Sequence, residues 1–440
     1  MINSLFEFYH DFISYVSGLS LHKIVSTFWF LFIIEIPRYY LLDVIVLMWM
    51  SIRQKKYAKR DAVAREKLYN ASPLISIIVP GKNEGEHIFK LVQSLKEQTY
   101  KEFELVIIDD GSDDMTPVIC ETLQKNGFIS RFLRSDVGGG KASAANLGLL
   151  DTKAEFIIHL DADSSLDRDA IEQILLPFYW DERIKAVGGC VKVRNNKESF
   201  CTSMQAMEYL ESIMVGRTVT STLKLYRTIS GAFGAFEINT LKQIGGWDIG
   251  PGLDGDITQK VLKSGHRVVF THKAVCLTNA PTTFKKLSKQ RLRWSRSLVR
   301  FRIRKHVDVL DLRHPYYQFT HFLSNLENVL FNFVFDFIWI WYLINLAINN
   351  AGDLTELFLL KFIVMIPLSF LSFLLAIFLT ERKKEEFFLI KYVPFQSFYS
   401  GYYLRIIRVL ASLSELFFFK SYKDKWNPHK TSRQAEIEKI

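Results

Sequence analysis

A chain of 440 residues is long enough for one large domain with accessory segments, or for two to three modest domains. It is 49% apolar and 14% aromatic, with 36 phenylalanines concentrated near the two ends, a richness seldom seen in an ordinary soluble enzyme. The formal charge of +10 fits nucleic acid, anionic lipid or phosphorylated substrates alike, while the widely spaced Cys120, Cys190, Cys201 and Cys276 argue against structural zinc and a disulfide framework and fit a reducing compartment.

The first twenty residues lack a basic leader and contain Glu7 and Asp11, so no cleavable signal peptide is expected. Residues 24–50 form an apolar stretch interrupted by Glu35, Arg38 and Asp43, longer than the roughly 20 residues a crossing helix needs. Arg53, Lys55, Lys56, Lys59 and Arg60 follow at once, and cationic flanks keep to the cytosol, which puts the next domain there. The first segment is therefore 1–60, and 61–283 reads as a cytosolic α/β domain. Within it the β-branched runs 75–80, 103–109, 155–160 and 185–193 alternate with helix-like stretches at 85–98 and 167–178. Such alternation predicts a mostly parallel sheet with helices on both faces, and ligands bind beyond the carboxyl ends of its strands.

Residues 284–318 are strongly basic, with Trp294 and Phe301 among the cations, and read as helices at a membrane boundary. The region 319–420 holds two further spans, roughly 320–348 and 357–379. Their link is poor in cations and the next one, 381–386, is rich in them, which returns the chain to the cytosol. Segment 387–419, with Pro394, Gly401, Arg405, Arg408 and Glu415, fits a kinked hairpin, a re-entrant pair or one span with an interfacial helix. The basic tail 421–440 argues for a cytosolic end.

Four motifs carry the chemistry. Asp109-Asp110-Gly111-Ser112 ends the second strand, where a carboxylate can accept from a base edge or a ribose hydroxyl; DDG is also an ordinary turn. Asp161-Ala162-Asp163 follows another strand, and in extended chain residues i and i+2 project to the same side. Two carboxylates so placed repel unless a cation separates them, and a hard divalent ion can bridge them to diphosphate oxygens. Asp254-Gly255-Asp256 stands where a Gly/Pro-rich loop meets a helix; a carboxylate there can take a proton from an attacking hydroxyl, although Asp256 also suits helix capping. Gln290-Arg291-Leu292-Arg293-Trp294 offers paired donors for phosphate and a flat face for a sugar ring. Lys141, in a glycine run without Walker A spacing, adds a phosphate candidate and counts against an ATPase.

The order and spacing of these motifs between membrane segments resemble the processive family-2 glycosyltransferases, the group of cellulose, chitin, hyaluronan and poly-N-acetylglucosamine synthases. The resemblance covers roughly residues 73–300 by motif and implies a GT-A-type α/β domain joined to transmembrane and interfacial helices. It implies that Asp109 or Asp110 contacts the uracil end of a UDP-sugar and that Lys141 lies near the nucleotide or diphosphate. Asp161 and Asp163 would hold the sugar-diphosphate and its Mg²⁺ or Mn²⁺. Asp254 matches the catalytic base of the family's T-E-D motif, with Asp256 its usual second acid. Gln290, Arg293 and Trp294 would line the acceptor and diphosphate site, and residues 230–234 fall where the family has a loop beneath the acceptor sugar. One departure stands out: this chain reads Gly252-Leu253-Asp254, so the Glu of T-E-D is missing.

A single base without a second nucleophile points to inversion by direct displacement, giving a β linkage. The expected enzyme is thus a metal-dependent hexosyltransferase in the cell membrane, extending a glycan and exporting it, with GlcNAc slightly favoured over glucose. Its partners are a UDP-sugar, a glycan acceptor, the lipid bilayer and room for an accessory secretion subunit, with no nucleic acid. The competing expectation is single addition to a membrane lipid of ceramide or polyprenyl-phosphate type. A transporter or receptor that only binds nucleotide sugars fits the three acidic motifs poorly.

Overall fold

The computed structural model describes residues 2–136, 138–150, 152–248, 252–313 and 318–423. The expected basic tail therefore lies largely outside the described residues, as do 249–251 of the loop leading to Asp254.

Among the described residues eight strands form one mixed sheet: β1 (Ile75–Gly81), β2 (Phe103–Asp109), β3 (Arg131–Arg134), β4 (Phe156–Leu160), β5 (Ser165–Leu166), β6 (Ile184–Val193), β7 (Phe233–Glu237) and β8 (Arg267–Thr278). Their order is β3-β2-β1-β4-β7-β6-β8-β5. The first four are mutually parallel, as are β6 and β8, whereas β7 runs antiparallel to β4 and β6. The predicted runs are the strands β1, β2, β4 and β6; β3, β5, β7 and β8 were not foreseen.

Alternate residues explain why the central strands read as unbroken apolar runs. In β1, Ile75, Ile77 and Val79 enter one core while Ile78 enters the other. In β2, Leu105 and Ile107 pair off against Val106 and Ile108 in the same way. Side chains of a strand point to opposite faces, so a sheet covered on both sides needs apolar residues at every position. The Gly85–Lys96 helix covers one face with Ile88, Leu91, Val92 and Leu95, the spacing of a single helical stripe. The second predicted helix is shorter than its periodicity suggested, running Ala170–Leu175 before tightening into a 3₁₀ turn at Leu176–Tyr179, where Pro177 removes a backbone donor.

The basic segment is helical over Phe284–Leu298 and continues as a π-helical stretch, Val299–Lys305. Phe301 does not face lipid, as a boundary helix would have it; it is buried against Gly252 and Gly255, where an added Cβ would meet its ring at 2.9 and 2.0 Å. Among the described residues two helices, Phe319–Asn349 and Leu354–Leu379, are long and apolar enough to cross a bilayer. The N-terminal stretch is helical over Leu21–Thr27 and again through Leu31–Ile52, but its charges keep it out of that class. Segment 387–419 is a succession of helical pieces, with Pro394 in the first turn of Val393–Phe398 and a π-helical turn at Tyr399–Tyr403.

Ile78 lies in the centre of the sheet with no exposed surface. Ile78→Ala is expected to cost about 2–5 kcal/mol through lost burial and the cavity left behind, read as a fall of several degrees in the apparent melting temperature of the purified chain.

Candidate active site

The acids gather because parallel neighbours end together. Gly81 of β1 pairs with Asp109 of β2, and Ile78 pairs with His159 of β4, so Glu84, Asp110 and Asp161 leave the sheet on one side, beyond its carboxyl edge.

Asp161 is ion-paired with the Lys141 ammonium at the start of the Lys141–Gly148 helix. Burial opposes the charge on Lys141, but Asp161, Asp254 and Asp163 outweigh it and hold the ammonium above its ordinary pKa. Asp163 accepts from the Thr278 hydroxyl at 3.1 Å, and burial together with Asp161 raises its pKa. Asp254 sits in the first turn of the Leu253–Lys263 helix. Burial raises its pKa, Lys141 pulls it down and Asp161 pushes it back up, so the three groups form one electrostatic unit. Gly231 lies directly against the Asp254 carboxylate, and a Cβ there would stand 2.2 Å from Oδ1.

Glu84, absent from the motifs singled out above, joins this group. Its pKa is pushed up to about 7 by burial and by Asp163 and Asp161. The signal was present in the sequence as an acid just past a strand end, masked by its resemblance to a helix-cap residue. His159 was also missed, although a polar residue in the run FIIHL, two positions before the acid pair, marks it out. Its Nδ1 donates to the Gly231 carbonyl at 2.7 Å, which fixes the neutral tautomer, and burial and Lys141 lower its pKa to about 4.

Other predicted residues face elsewhere. Asp109 is 1% exposed and holds the turn together, accepting from the Ser112 amide at 3.0 Å and from the Ser112 hydroxyl. Asp110 accepts from the amides of Gly139 and Gly140 at 2.7 and 2.8 Å, which ties the glycine run before Lys141 to the end of β2. Burial raises the Asp110 pKa against those two hydrogen bonds. Asp256 points away from the acid group, to His306 at 2.7 Å and Lys305 at 2.8 Å, and the His306 hydrogen bond and the Lys305 ammonium hold its carboxyl below its usual value despite burial.

In the basic motif Arg291 is locked in place. It pairs with Glu208 at 2.9 Å and stacks over Trp294 at 4.3 Å. Trp294 remains 42% exposed, Arg293 is half-buried, and the buried Gln290 Oε1 has no hydrogen-bond partner among the described residues. Ser297 and Phe301, further along the same helical run, touch Gly252 at the head of the Asp254 helix. The missing T-E-D residues are accounted for locally: Gly252 adopts φ 96°, and its lack of a side chain admits Phe301 and Ser297.

Among the described residues no three His, Cys, Asp or Glu side chains are spaced to enclose a metal ion. The donor set nevertheless suits an oxygen-seeking divalent ion, because Mg²⁺ is usually held by one or two carboxylates plus substrate phosphates.

Comparison with known proteins agrees with this geometry. Residues 76–238 match the sequence profile "Glycosyl transferase family 2". The chain is 31% identical over 242 residues to the poly-beta-1,6-N-acetyl-D-glucosamine synthase of Staphylococcus epidermidis, covering 52% of this chain and 58% of that protein. It is 30% identical over 223 residues to the synthase of the same name from Staphylococcus aureus, covering 50% of this chain and 53% of that protein. The matched stretch thus spans little more than half the length of these relatives. Among solved structures, the mannosyltransferase PcManGT from Pyrobaculum calidifontis, in complex with GDP-Man and Mn²⁺, superposes with a TM-score of 0.53 at 19% identity, covering 86% of this chain and 99% of that one. That likeness supports the GT-A-like fold.

One prediction follows from His159. Its unfolded imidazole binds a proton below its ordinary pKa of 6.5, whereas the native one stays neutral down to about 4. The unfolded state therefore binds more protons in that window, and stability falls as pH drops through it. His159→Gln should flatten the dependence of melting temperature on pH between those values. Residues 76–238 thus match a family 2 glycosyltransferase domain, carried on a GT-A-like fold.

Proposed function

We propose that the chain is an inverting, membrane-embedded glycosyltransferase that moves a sugar from a UDP-sugar to a growing β-linked polysaccharide and couples synthesis to export. The observation that carries this reading is the convergence of Lys141, Asp161 and Asp254 into one charged group at the carboxyl edge of the sheet. The two apolar helices support the membrane setting, with the catalytic domain on the cytosolic side of the cell membrane.

In this reading Asp254 accepts the proton of the acceptor hydroxyl as it attacks the anomeric carbon. Its elevated pKa suits a base that must hold that proton through the transition state. Lys141 faces the departing diphosphate, and Arg293 offers further donors to it. Asp110, Asp161 and the glycine run beside Lys141 border the nucleotide, Trp294 presents its ring to the acceptor sugar, and Gln290 offers a polar atom with no partner among the described residues. Asp161 and Asp163 would hold Mg²⁺ or Mn²⁺, which supplies charge neutralisation to the leaving diphosphate. The inward-facing Asp109 and Asp256 support the site by fixing the DDGS turn and the Asp254 helix. The names of the Staphylococcus relatives support N-acetylglucosamine as the donor sugar to try first.

Membranes carrying the chain are incubated with radiolabelled UDP-GlcNAc or UDP-glucose and Mg²⁺ or Mn²⁺, and the product is sized. High-molecular-weight, detergent-insoluble label is expected; label extracted into organic solvent would replace polymerisation by transfer to a lipid. Asp254→Asn should lower turnover by roughly 10²–10⁴-fold with UDP binding retained. Asp163→Asn should weaken metal-dependent UDP binding, measured by titration with and without the ion.

A further inference from the structure

The strand-like loop from Arg227 to Phe233 is held at both ends by unlike parts of the molecule. At its far end it touches the site three times: Gly231 abuts the Asp254 carboxylate, the Gly231 carbonyl accepts from His159, and the Ala232 carbonyl accepts from the Asp161 amide at 3.3 Å. In its middle, the Ile229 amide donates to the Thr258 hydroxyl at 3.0 Å, and that hydroxyl donates to the Asp254 carbonyl at 2.7 Å. At its near end it is fastened to the membrane-side helix Phe319–Val329, because Arg227 is ion-paired with Glu327, which also takes Arg38 of the N-terminal helical run at 2.6 Å.

One side chain joins all of these parts. Arg302 is 2% exposed. It donates to the Arg227 carbonyl at 2.7 Å, to the Thr228 hydroxyl at 3.3 Å and to the Asn325 amide oxygen. With their amide oxygens facing the guanidinium, Gln259 accepts from its Nη1 at 2.6 Å and Asn328 from its Nε at 2.9 Å. Arg302 thus touches the loop, the helix that carries Asp254, and the membrane-side helix at once. Its acceptors are neutral oxygens, and the neighbouring Glu327 is already taken by Arg38 and Arg227. Burying a guanidinium without its own carboxylate is costly, so its retention here is poorly explained by stability alone. A planar group with five donors is, however, the one side chain able to hold three elements in a fixed relation.

We infer that Arg302 is a positioning residue for the transfer step: it sets the 227–233 loop, and through it Asp254, in register with the membrane-side helix. Acceptor alignment at the base is thereby coupled to the seating of the membrane helices, while the part of the nucleotide end built on β1, β2 and the glycine run lies off that loop. The inference rests on the reading of Asp254 as the base.

The test uses the full chain in membranes or nanodiscs. Arg302→Met keeps the length and apolar stem and removes the donors. Amide hydrogen exchange in the peptide covering 227–233 should rise, and turnover should fall by roughly 10²-fold, the scale of a misplaced catalytic group, with donor KM and UDP affinity at wild-type values. Asn325→Ala attacks the same link from the membrane side, and its effect should be non-additive with Arg302→Met. Unchanged exchange in that peptide, or a parallel loss of UDP affinity and turnover, overturns the inference. Should the wild-type chain transfer no sugar, the functional reading fails instead, and the exchange measurement still decides whether Arg302 holds the loop. Should Arg302→Met not fold, Asn325→Ala alone decides by the same two readouts.

Discussion

The structure turns on a charge imbalance at the carboxyl edge of one sheet. Glu84, Asp161, Asp163 and Asp254 crowd there against the ammonium of Lys141. In water such a group would be unremarkable, but here burial disfavours the charged forms and weakens the screening of their mutual repulsion, and the pKa values of Glu84, Asp163 and Asp254 all rise. A site in that state is poised for cations. The sheet order makes the crowding unavoidable. With β4 between β1 and β7, the Asp161 pair lies beside the exit of β1 on one side and beside the Gly231 loop on the other.

The same order shows which parts of the fold could be read from the sequence. Strands buried on both faces announce themselves as continuous apolar runs, and the helix-like stretches between them imply parallel pairing. The antiparallel return strand β7, FGAFE, is only five residues long and interrupted by a glycine, and its partners β4 and β6 lie far away in sequence. Nothing local distinguishes it from a loop. The site was legible as a set of acids at strand ends, yet residue type does not say which way a carboxylate faces. Asp109 and Asp110 are adjacent, and one serves a turn three residues on while the other holds a glycine run some thirty residues on. Asp254 and Asp256 share a helical turn, and only the first meets Lys141, because His306 and Lys305 claim the second.

The apolar helices follow a related rule. Glu35, Arg38 and Asp336 break the hydropathy of otherwise apolar helices, and each is matched from a distant one: Glu35 by Arg405 at 2.6 Å, Arg38 by Glu327, and Asp336 by Arg408 at 2.8 and 3.0 Å. Ionised groups among apolar helices are tolerated when they pair with one another, and such pairs fix which helices meet and at what register. The charges that shorten an apolar run in a sequence count are therefore the ones that specify how the helices assemble.

The departure at Gly252-Leu253 belongs to this assembly. A Glu in place of Leu253 would set a carboxylate against the apolar core, and a side chain at Gly252 would strike Phe301 and Ser297. With glycine at φ 96° the Asp254 helix can begin abruptly and accept the Phe301 ring against Gly252 and Gly255. Leu253 meanwhile packs against the apolar core beneath. The helix carrying Asp254 is held by packing between the sheet below and the Arg302 segment above, so Asp254 keeps its place without a second acid beside it.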